Sequence, residues 1–598
     1  MSLMQPIRIS ELRENTDWIY EIKYDGFRVN LLLSDNRIKI ISRNNKDLTA
    51  NFPEIIQVCE KNISTIKKFL PIQLDGELAI LNNAYQANFS LIQMRGRLKT
   101  VKKINEEAKS RPATLIAFDI LQWQGKECID KKLTERKKLL NQLFANFNDN
   151  RITKIKSYES LEQAIQIMDD YKAEGLVAKH KRSLYISCKS HHHWFKYKNW
   201  RTIHAFLTAY DSQNDYFEAA VYNEDQIESV GKCKHGLDKE AYISLKTIFI
   251  ENGTKENGKY HLPPAICTSI HTLDFLSQEM REPEFHELLP GESAIECTKD
   301  RLLQDLSMLP DVGLSNLDKL FWPEHGYTKG NLLQYLREIY PYMSPYLYNR
   351  MLTVIRCPDG VKKECFFQKN LPTYAPSFIN YIDEGDKRGM ICNSLETLIW
   401  FGNHSVIEFH IPFQPVQSPY PNEIVFDLDP PSTSAFSLAM EAAVMIKEIL
   451  DKIGVIPFIK TSGSKGLQIH IPIIENKMSY EDTAVFTEAI AMTVEQSMPN
   501  KFTTERMKKN RNERLYLDYV QHGKNKTIIA PYSPRKTETG TVATPLYWEE
   551  LKTELNPKKF TIKTIVDRVK TMGCPWLNTY NKVRKVNYIT LKKYIFSS

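Results

Sequence analysis

The alternation of apolar and polar positions changes character along this 598-residue chain. Up to about residue 200, period-two runs such as "RIKIISR", "LPIQLDGELAIL" and "ATLIAFDIL" predict strands. Stretches such as "SLEQAIQIMDDYKAEG" carry the helical period instead. Residues 201–290 hold short, evenly spaced runs, as in "HAFLTAYDSQNDYFEAAVYNEDQIESVG", which predict a small β-barrel or sandwich. Turn-forming residues in "ELLPGESAIECTKDR" predict a connector over 291–305. From 306 the entry "LDKLFWPEHGYTKG" leads into the amphipathic "NLLQYLREIYPYM" and a second mixed set of elements. No internal repeat is evident. The length exceeds what one core serves, so an α+β multidomain chain of three units is expected: 1–200, 201–290 and 306–598.

Two strand-like stretches carry groups that a strand does not need. "EIKYDGFRVNLLL", Glu21 to Leu33, reads as one strand with Lys23, Asp25, Gly26 and Arg28 at its middle. Lys23 shares a face with Glu21 and Asp25, while Ile22 and Tyr24 face the other way. A lysine that attacks must lose its proton, and a free side chain holds it to a pKa of ~10.4. Burial or nearby cations must therefore lower that value. If the target is a nucleotide α-phosphate, cations must also offset developing charge, and carboxylates must hold a divalent metal. Candidates are Arg43 in "SRNNKDLT", Glu77 in "LDGELAIL", Phe118 in "IAFDIL" and Glu174 in "EGLVAK". In "WFKYK", Lys196 and Lys198 share a face with Trp194 and could grip a phosphate or depress Lys23. Taken singly, each is better explained as a turn, a core strand or an edge strand with solvated lysines. The ordered set is what counts.

The second stretch is "NEIVFDLDPPS". On a strand, Val425, Asp427 and Asp429 share one face; Ile424, Phe426 and Leu428 share the other. "RLYLDYVQ" adds Asp518 from another strand. Carboxylates side by side repel, so a cation between them is expected, and hard oxygen ligands suit Mg²⁺ or Mn²⁺. Two such metals would serve transfer of a nucleotidyl group to a 3′-hydroxyl. The competing reading, an acidic turn capping the following helix through Ser432 or Ser434, explains the serines but not the paired aspartates. The turn of "KTSGSKGLQIHIP" carries Ser462, Gly463, Lys465 and Gly466, whose backbone can approach an anion. It lacks Walker spacing. Arg535 and Lys319 are further cations. "CFFQKN" sets Phe366 and Phe367 beside Lys369, a base-stacking face and then a phosphate cation, although core packing of the phenylalanines is the commoner use of such a pair.

In order, "KYDGFR", "SRNNKDL", "LDGELAI", "AFDIL", "EGLVAK" and "WFKYK" resemble the motifs of the covalent nucleotidyltransferases: ATP-dependent DNA ligases, RNA ligases and capping enzymes. The resemblance covers about 1–200 and implies an ATP-grasp-like nucleotidyltransferase domain followed by an OB-fold β-barrel. It implies that Lys23 carries AMP and that Arg28 and Arg43 hold the nucleotide or a 5′-phosphate. It assigns Glu77 and Glu174 to the sugar and the metal, Phe118 to the adenine, and Lys196 and Lys198 to the α-phosphate. One departure stands out. Where such ligases end the OB-fold with a basic motif, "MREPEFHELL" offers Arg281 but no Arg-x-Asp-Lys.

From about 306 to 598, "DKLFWPEHGYTKG", "FFQKN", "EFHIPFQ", "VFDLDPP", "TSGSKGLQIHIP", "LYLDYVQ" and "APYSPR" resemble the archaeo-eukaryotic primase-like α/β polymerase domain of bacterial DNA ligase D. That implies metal binding by Asp427, Asp429 and Asp518. It places Lys319, His410, Ser462, Lys465 and Arg535 on an NTP or dNTP, Phe367 in stacking, and Lys369 on a DNA 5′-phosphate. Some relatives have a lysine before the arginine of "RCPDG"; here Ile355 precedes Arg356. Ligase first and polymerase second, without a nuclease, is similar to the Bacillus-type arrangement. The expected activity is ATP-dependent sealing and gap filling in non-homologous end joining of double-strand breaks, at DNA ends, nicks and gaps, with the Ku end-binding protein as a partner by resemblance. An RNA ligase or capping-type enzyme is the nearest alternative, opposed by the polymerase half. A non-catalytic end-bridging scaffold is opposed by Lys23 and the three aspartates.

Charge refines this little. Eighty Lys and Arg against seventy-two Asp and Glu leave +8, which permits a nucleic-acid partner without demanding one. "MSLMQPIRISELREN" has no signal-type apolar core, and no run approaches the ~20 residues of a membrane span. A bacterial cytoplasmic, nucleoid-associated location without membrane contact is expected. The ten cysteines form no Cys-x-x-Cys pair, so free thiols are expected. "CKSHHHW" reads as a polar loop, because successive histidines on a strand alternate faces and cannot share one zinc.

Overall fold

The computed structural model describes residues 3–595 except 148, 188–190, 277, 384, 553 and 578. The chain forms two compact units, Met1–Leu309 and Pro310–Ser598.

The first unit begins with two sheets that share one connection. "EIKYDGFRVNLLL" is not a single strand. Trp18–Lys23 belongs to a five-stranded sheet with Gly175–His180 and Trp194–Lys198 as successive neighbours. Phe27–Ser34 belongs to a six-stranded sheet, between Arg37–Ser42 and Ile72–Ala79. The chain crosses between them at 24–26, which puts Lys23 at a strand end. Gly26 makes the crossing possible, since a Cβ there would stand 2.2 Å from the Leu78 carbonyl oxygen. Val29, Leu31 and Leu33 pack with Leu74, Leu78 and the helix Pro53–Ile66. The helical reading of "SLEQAIQIMDDYKAEG" corresponds to Leu161–Asp170, capped by the Ser160 hydroxyl accepting from the Gln163 amide at 3.2 Å.

The OB-fold barrel is built on Lys259–Thr272, paired to Arg201–Asp211, Thr254–Glu256 and Glu284–Leu288. It also contains a helix, Lys239–Asn252, that alternation did not predict. The expected connector is corrected as well. Lys299–Ser307 is a helix of the first unit, capped by Thr298, and Leu302 enters the barrel core beside Phe217, Phe249 and Phe285. Asp305 accepts from the His204 backbone at 3.1 Å, and Lys172 donates to the Leu306 carbonyl at 3.0 Å.

The second unit is built on a six-stranded sheet in which Glu423–Asp429 lies between Leu515–Asp518 and Leu467–Pro472. Ile424, Phe426 and Leu428 pack against the helices Phe436–Lys452 and Tyr480–Ser497 through Ala439, Ala443, Ile446 and Phe486. The first of these helices has no side-chain cap, and the Ser432 and Ser434 hydroxyls bond each other instead. A smaller sheet orders Phe366–Gln368, Thr353–Arg356, Val406–Pro412 and Thr527–Ile529. Its register sets Arg356 opposite Phe366, and the residues that follow and precede them, Cys357 and Cys365, are joined in a disulfide with Cα atoms 4.4 Å apart. The expectation of free thiols is therefore wrong for this pair; seven other cysteines are free, and Cys188 lies outside the described residues. His191, of the "CKSHHHW" stretch, turns its Nε2 to the Gln5 carbonyl at 2.8 Å. No helix among the described residues is long and apolar enough to cross a membrane.

Candidate active sites

In the first unit a cavity of about 810 Å³ is lined by Lys23, Asp25, Arg28, Arg43, Glu77, Phe118, Glu174, Lys179, Trp194, Lys196, Arg281 and Glu282. Strand register explains the convergence. Gly175 pairs with Lys23 on one side and Lys198 on the other, and Val177 pairs with Glu21 and Lys196. These residues share one face of the sheet. From the other sheet, Glu77 pairs with Arg28.

Lys23 Nζ donates to Glu174 Oε1 at 2.5 Å. Burial works to lower the lysine pKa, but Glu174, Asp25 and Glu77 outweigh it and hold the amine above its ordinary value. The depressed lysine expected from the sequence is thus corrected: carboxylates dominate its surroundings. Lys196 is lowered instead, by burial and then by Lys23 and Lys198. Glu77 is half-buried in the cavity wall, and desolvation pushes it up to about 8 against the pull of Lys23 and Arg28. Asp25 rises to about 6 through burial and Glu174, opposed by Arg281, with which it is ion-paired.

Not every expected ligand is free to act. Arg28 lines the cavity, but its fork is held by Asp75 at 3.0 and 2.7 Å and by the Tyr185 hydroxyl at 3.3 Å. Lys198 pairs with Glu282 at 2.8 Å and Glu284 at 3.5 Å. Arg43 is exposed at the rim. The Phe118 ring stands 6.3 Å from Trp194, nearly perpendicular, with Lys179 Nζ 4.4 Å from its centroid. Asp75, Tyr185 and Lys179 were not singled out from the sequence. Lys179 ends the "EGLVAK" stretch, which was the available signal. Burial pushes Lys179 down to about 8 despite Glu21 at 2.7 Å.

In the second unit the register sets Asp427 directly opposite Asp518, with Asp429 two positions along. Burial, then Asp518 and Asp429, push Asp427 up to about 6, although Gln468 donates to it at 3.1 Å. Burial raises Asp518 too. Asp429 pairs with Lys465 at 3.0 Å and with Arg511, missed in the sequence, at 3.3 Å. The Ser462 hydroxyl accepts from the Gly466 amide at 3.1 Å, and Lys465 donates to the Pro430 carbonyl at 2.7 Å. His410 and Arg535 meet at Glu408, at 2.9 and 3.4 Å, a buried carboxylate that the sequence did not suggest. Lys319 pairs with Asp359 at 2.7 Å on the surface. Phe366 and Phe367 are both exposed, so core packing is not their role, and Lys369 is exposed beside them. Ile355 lies opposite Phe367.

Among the described residues no group of three or more His, Cys, Asp or Glu already converges in metal-holding geometry. The donor chemistry nevertheless fits a divalent cation at both places. Glu174 Oε2 is buried without a hydrogen-bond partner, and burial, then Asp518 and Asp429, raise the Asp427 carboxyl.

Residues 3–198 match the family described as ATP dependent DNA ligase domain, and 328–576 match LigD, primase-polymerase domain. The bifunctional non-homologous end joining protein LigD of Bacillus subtilis is 37% identical over 588 residues, 96% of each chain. The multifunctional non-homologous end joining protein LigD of Pseudomonas aeruginosa is 22% identical over 607 residues, 94% of this chain and 70% of that one. Among solved structures, the polymerase domain from Mycobacterium tuberculosis Ligase D in complex with DNA matches with 29% identity and a TM-score of 0.42, over 44% of this chain and 96% of that chain. A chain that carries both domain matches, at that identity over nearly the whole of a bifunctional relative, belongs to the LigD family: it is an enzyme of non-homologous end joining, an ATP-dependent DNA ligase and a primase-type polymerase in one polypeptide.

Proposed function

We propose that Lys23 is the nucleophile of the ligase half, and the contact with Glu174 carries the assignment. The amine loses its proton to solvent and, freed from Glu174, attacks the α-phosphate of ATP. A nitrogen–phosphorus bond forms, the bond to the pyrophosphate oxygen breaks, and pyrophosphate leaves. AMP passes from Lys23 to the 5′-phosphate at a nick, and the 3′-hydroxyl displaces it to close the phosphodiester. Lys196, facing the same cavity, meets the α-phosphate; Phe118 lies against the adenine; Arg43 at the rim serves the nucleotide or the DNA phosphate. Lys198 joins them on leaving Glu282, and Arg28, held by Asp75, shapes the wall beneath.

Glu77 and Glu174 would hold one divalent cation, and Asp427, Asp429 and Asp518 would hold the polymerase metals, Mg²⁺ or Mn²⁺. Such ions offset the charge that develops on transferring phosphates. In the polymerase half, Ser462, Lys465, His410, Arg535 and Lys319 bind the triphosphate of an NTP or dNTP. Phe367 stacks on a base, and Lys369 takes the downstream 5′-phosphate. The chain works on double-stranded ends, nicks and gaps at the bacterial nucleoid, brought there by the Ku end-binding protein.

Incubation with α-labelled ATP and Mg²⁺ tests the central assignment. The label is expected to stay on the denatured protein and to vanish in Lys23→Ala. A label that survives Lys23→Ala overturns the reading.

A further inference from the structure

The edge strand Phe366–Gln368 has two faces, and the roles proposed above use one of them. Phe367 and Lys369 lie on that face, with Ile355, Glu408 and His410 in register. Phe366 and Gln368 point to the other side, where three rings form a column. Its root is Trp400, 4% exposed, on the helix Leu395–Asn403. The His404 ring lies 3.8 Å from Trp400 at 25°, and the Tyr374 ring lies 5.7 Å from His404 at 28°. Tyr374 is 64% exposed, so the column is rooted in the core and ends with an aromatic face in water. Arg356 braces it from the strand side, donating to the His404 carbonyl at 2.8 Å and to Gln368 Oε1 at 3.0 Å.

A tyrosine packed over a histidine is commonly just a cover for the ring beneath it. Here the outer ring is the exposed one, and it is not alone. Phe378 and Tyr381 are also exposed, and Arg388 lies over the Tyr381 ring at 4.9 Å. Tyr381–Asp383 pairs with Arg388–Met390, and the Leu371 amide donates to the Arg388 carbonyl at 2.7 Å, which places this strand pair beside the segment bearing Tyr374. Rings interleaved with cations suit a single strand of nucleic acid, whose bases stack and whose phosphates need positive charge. A protein partner would favour a patch depleted of charge at its centre.

We propose that Tyr374, seated on His404 and Trp400, is a stacking platform for an unpaired base of a single-stranded overhang at a DNA end. The overhang passes round the edge strand, and Arg388 meets its phosphates. The stacked seat matters because a ring already held in place loses little freedom on binding. The site lies apart from the residues assigned above to nucleotide, metal and 5′-phosphate.

The test uses the full chain, a fluorescein-labelled oligothymidylate and a blunt duplex of equal length, read by anisotropy at one salt concentration. Tyr374→Ala is expected to weaken oligothymidylate binding about 5- to 150-fold, the range for losing one stacked base. Tyr374→Trp is expected to retain it, and neither change is expected to alter blunt-duplex binding or nick sealing. An unchanged affinity in Tyr374→Ala overturns the proposal. So does an equal loss on the blunt duplex, which would mark a general electrostatic effect, or a loss in Tyr374→Trp as large as in Tyr374→Ala. Retained nick sealing keeps the family assignment separate from any of these failures.

Discussion

Lys460 is fully buried, in a row that crosses four strands: Lys460, Gln468, Asp427 and Asp518 are successive register partners. Burial, then Arg535, push its amine down to about 7. In the unfolded chain the same amine holds its proton up to about 10.4. Between those values the unfolded state binds the extra proton, so this residue makes stability rise with pH. At and below about 7 the folded state must bury the charge. Lys460→Met is therefore expected to raise the melting temperature of the second unit by a few degrees near pH 7, and to lose that advantage near pH 10. Thermal melts at the two pH values check it; a gain that is the same at both removes the titration argument. The sequence could not show Lys460, nor Glu408, Asp75 or Arg511. Asp75, Glu408 and Lys460 sit inside the motif stretches and Arg511 just outside one, but each matters through burial or through a partner that the motif does not name. Lys23, Glu77, Phe118, Glu174 and Lys196 were legible because their motifs follow strand order, and strand order brings them round one cavity.

At the scale of elements, the spacing between strands decides the ligase site. Gly175 sits in register between Lys23 and Lys198, and a Cβ there would stand 2.0 Å from the Tyr197 carbonyl oxygen. That atom is backbone and cannot swing aside. Gly175→Ala must push the strand Trp194–Lys198 away, and Lys196 with it. Self-adenylation is expected to fall at least about 100-fold, since misplacement by about 1 Å has that scale of effect. Nucleotide addition by the polymerase half is expected to hold. Measuring both on one preparation checks this, and near-normal adenylation would show that the strands have slack. Alternation predicted most strands, because one face of each is buried. It missed the helix Lys239–Asn252, whose Ile243, Ile248 and Ile250 are about half exposed, so its apolar residues do not line up on one face. It merged Trp18–Lys23 and Phe27–Ser34, because the crossing between sheets turns on a single glycine and leaves the apolar rhythm almost unbroken.

Across the whole molecule, each chemistry has its own unit and its own core. Asp427→Ala combined with Asp429→Ala is expected to abolish nucleotide addition and leave nick sealing within about twofold, since the ligase unit has its own core and, among the described residues, shares no partner with these carboxylates. Gap filling that persists in the double variant would remove the metal assignment. The ligase–polymerase order was legible from motifs alone; the disulfide was not, because it depends on a strand pairing rather than on cysteine spacing. The helix Lys299–Ser307 adds a point about how such a chain can be rearranged. Leu302 closes the barrel core, and Asp305 and the Leu306 carbonyl hold His204 and Lys172. The portable ligase cassette is therefore 1–309 and not 1–290. A recombination event at the earlier point would carry away the barrel's stopper, whereas one after Leu309 lets either half change position or neighbour with its interior sealed.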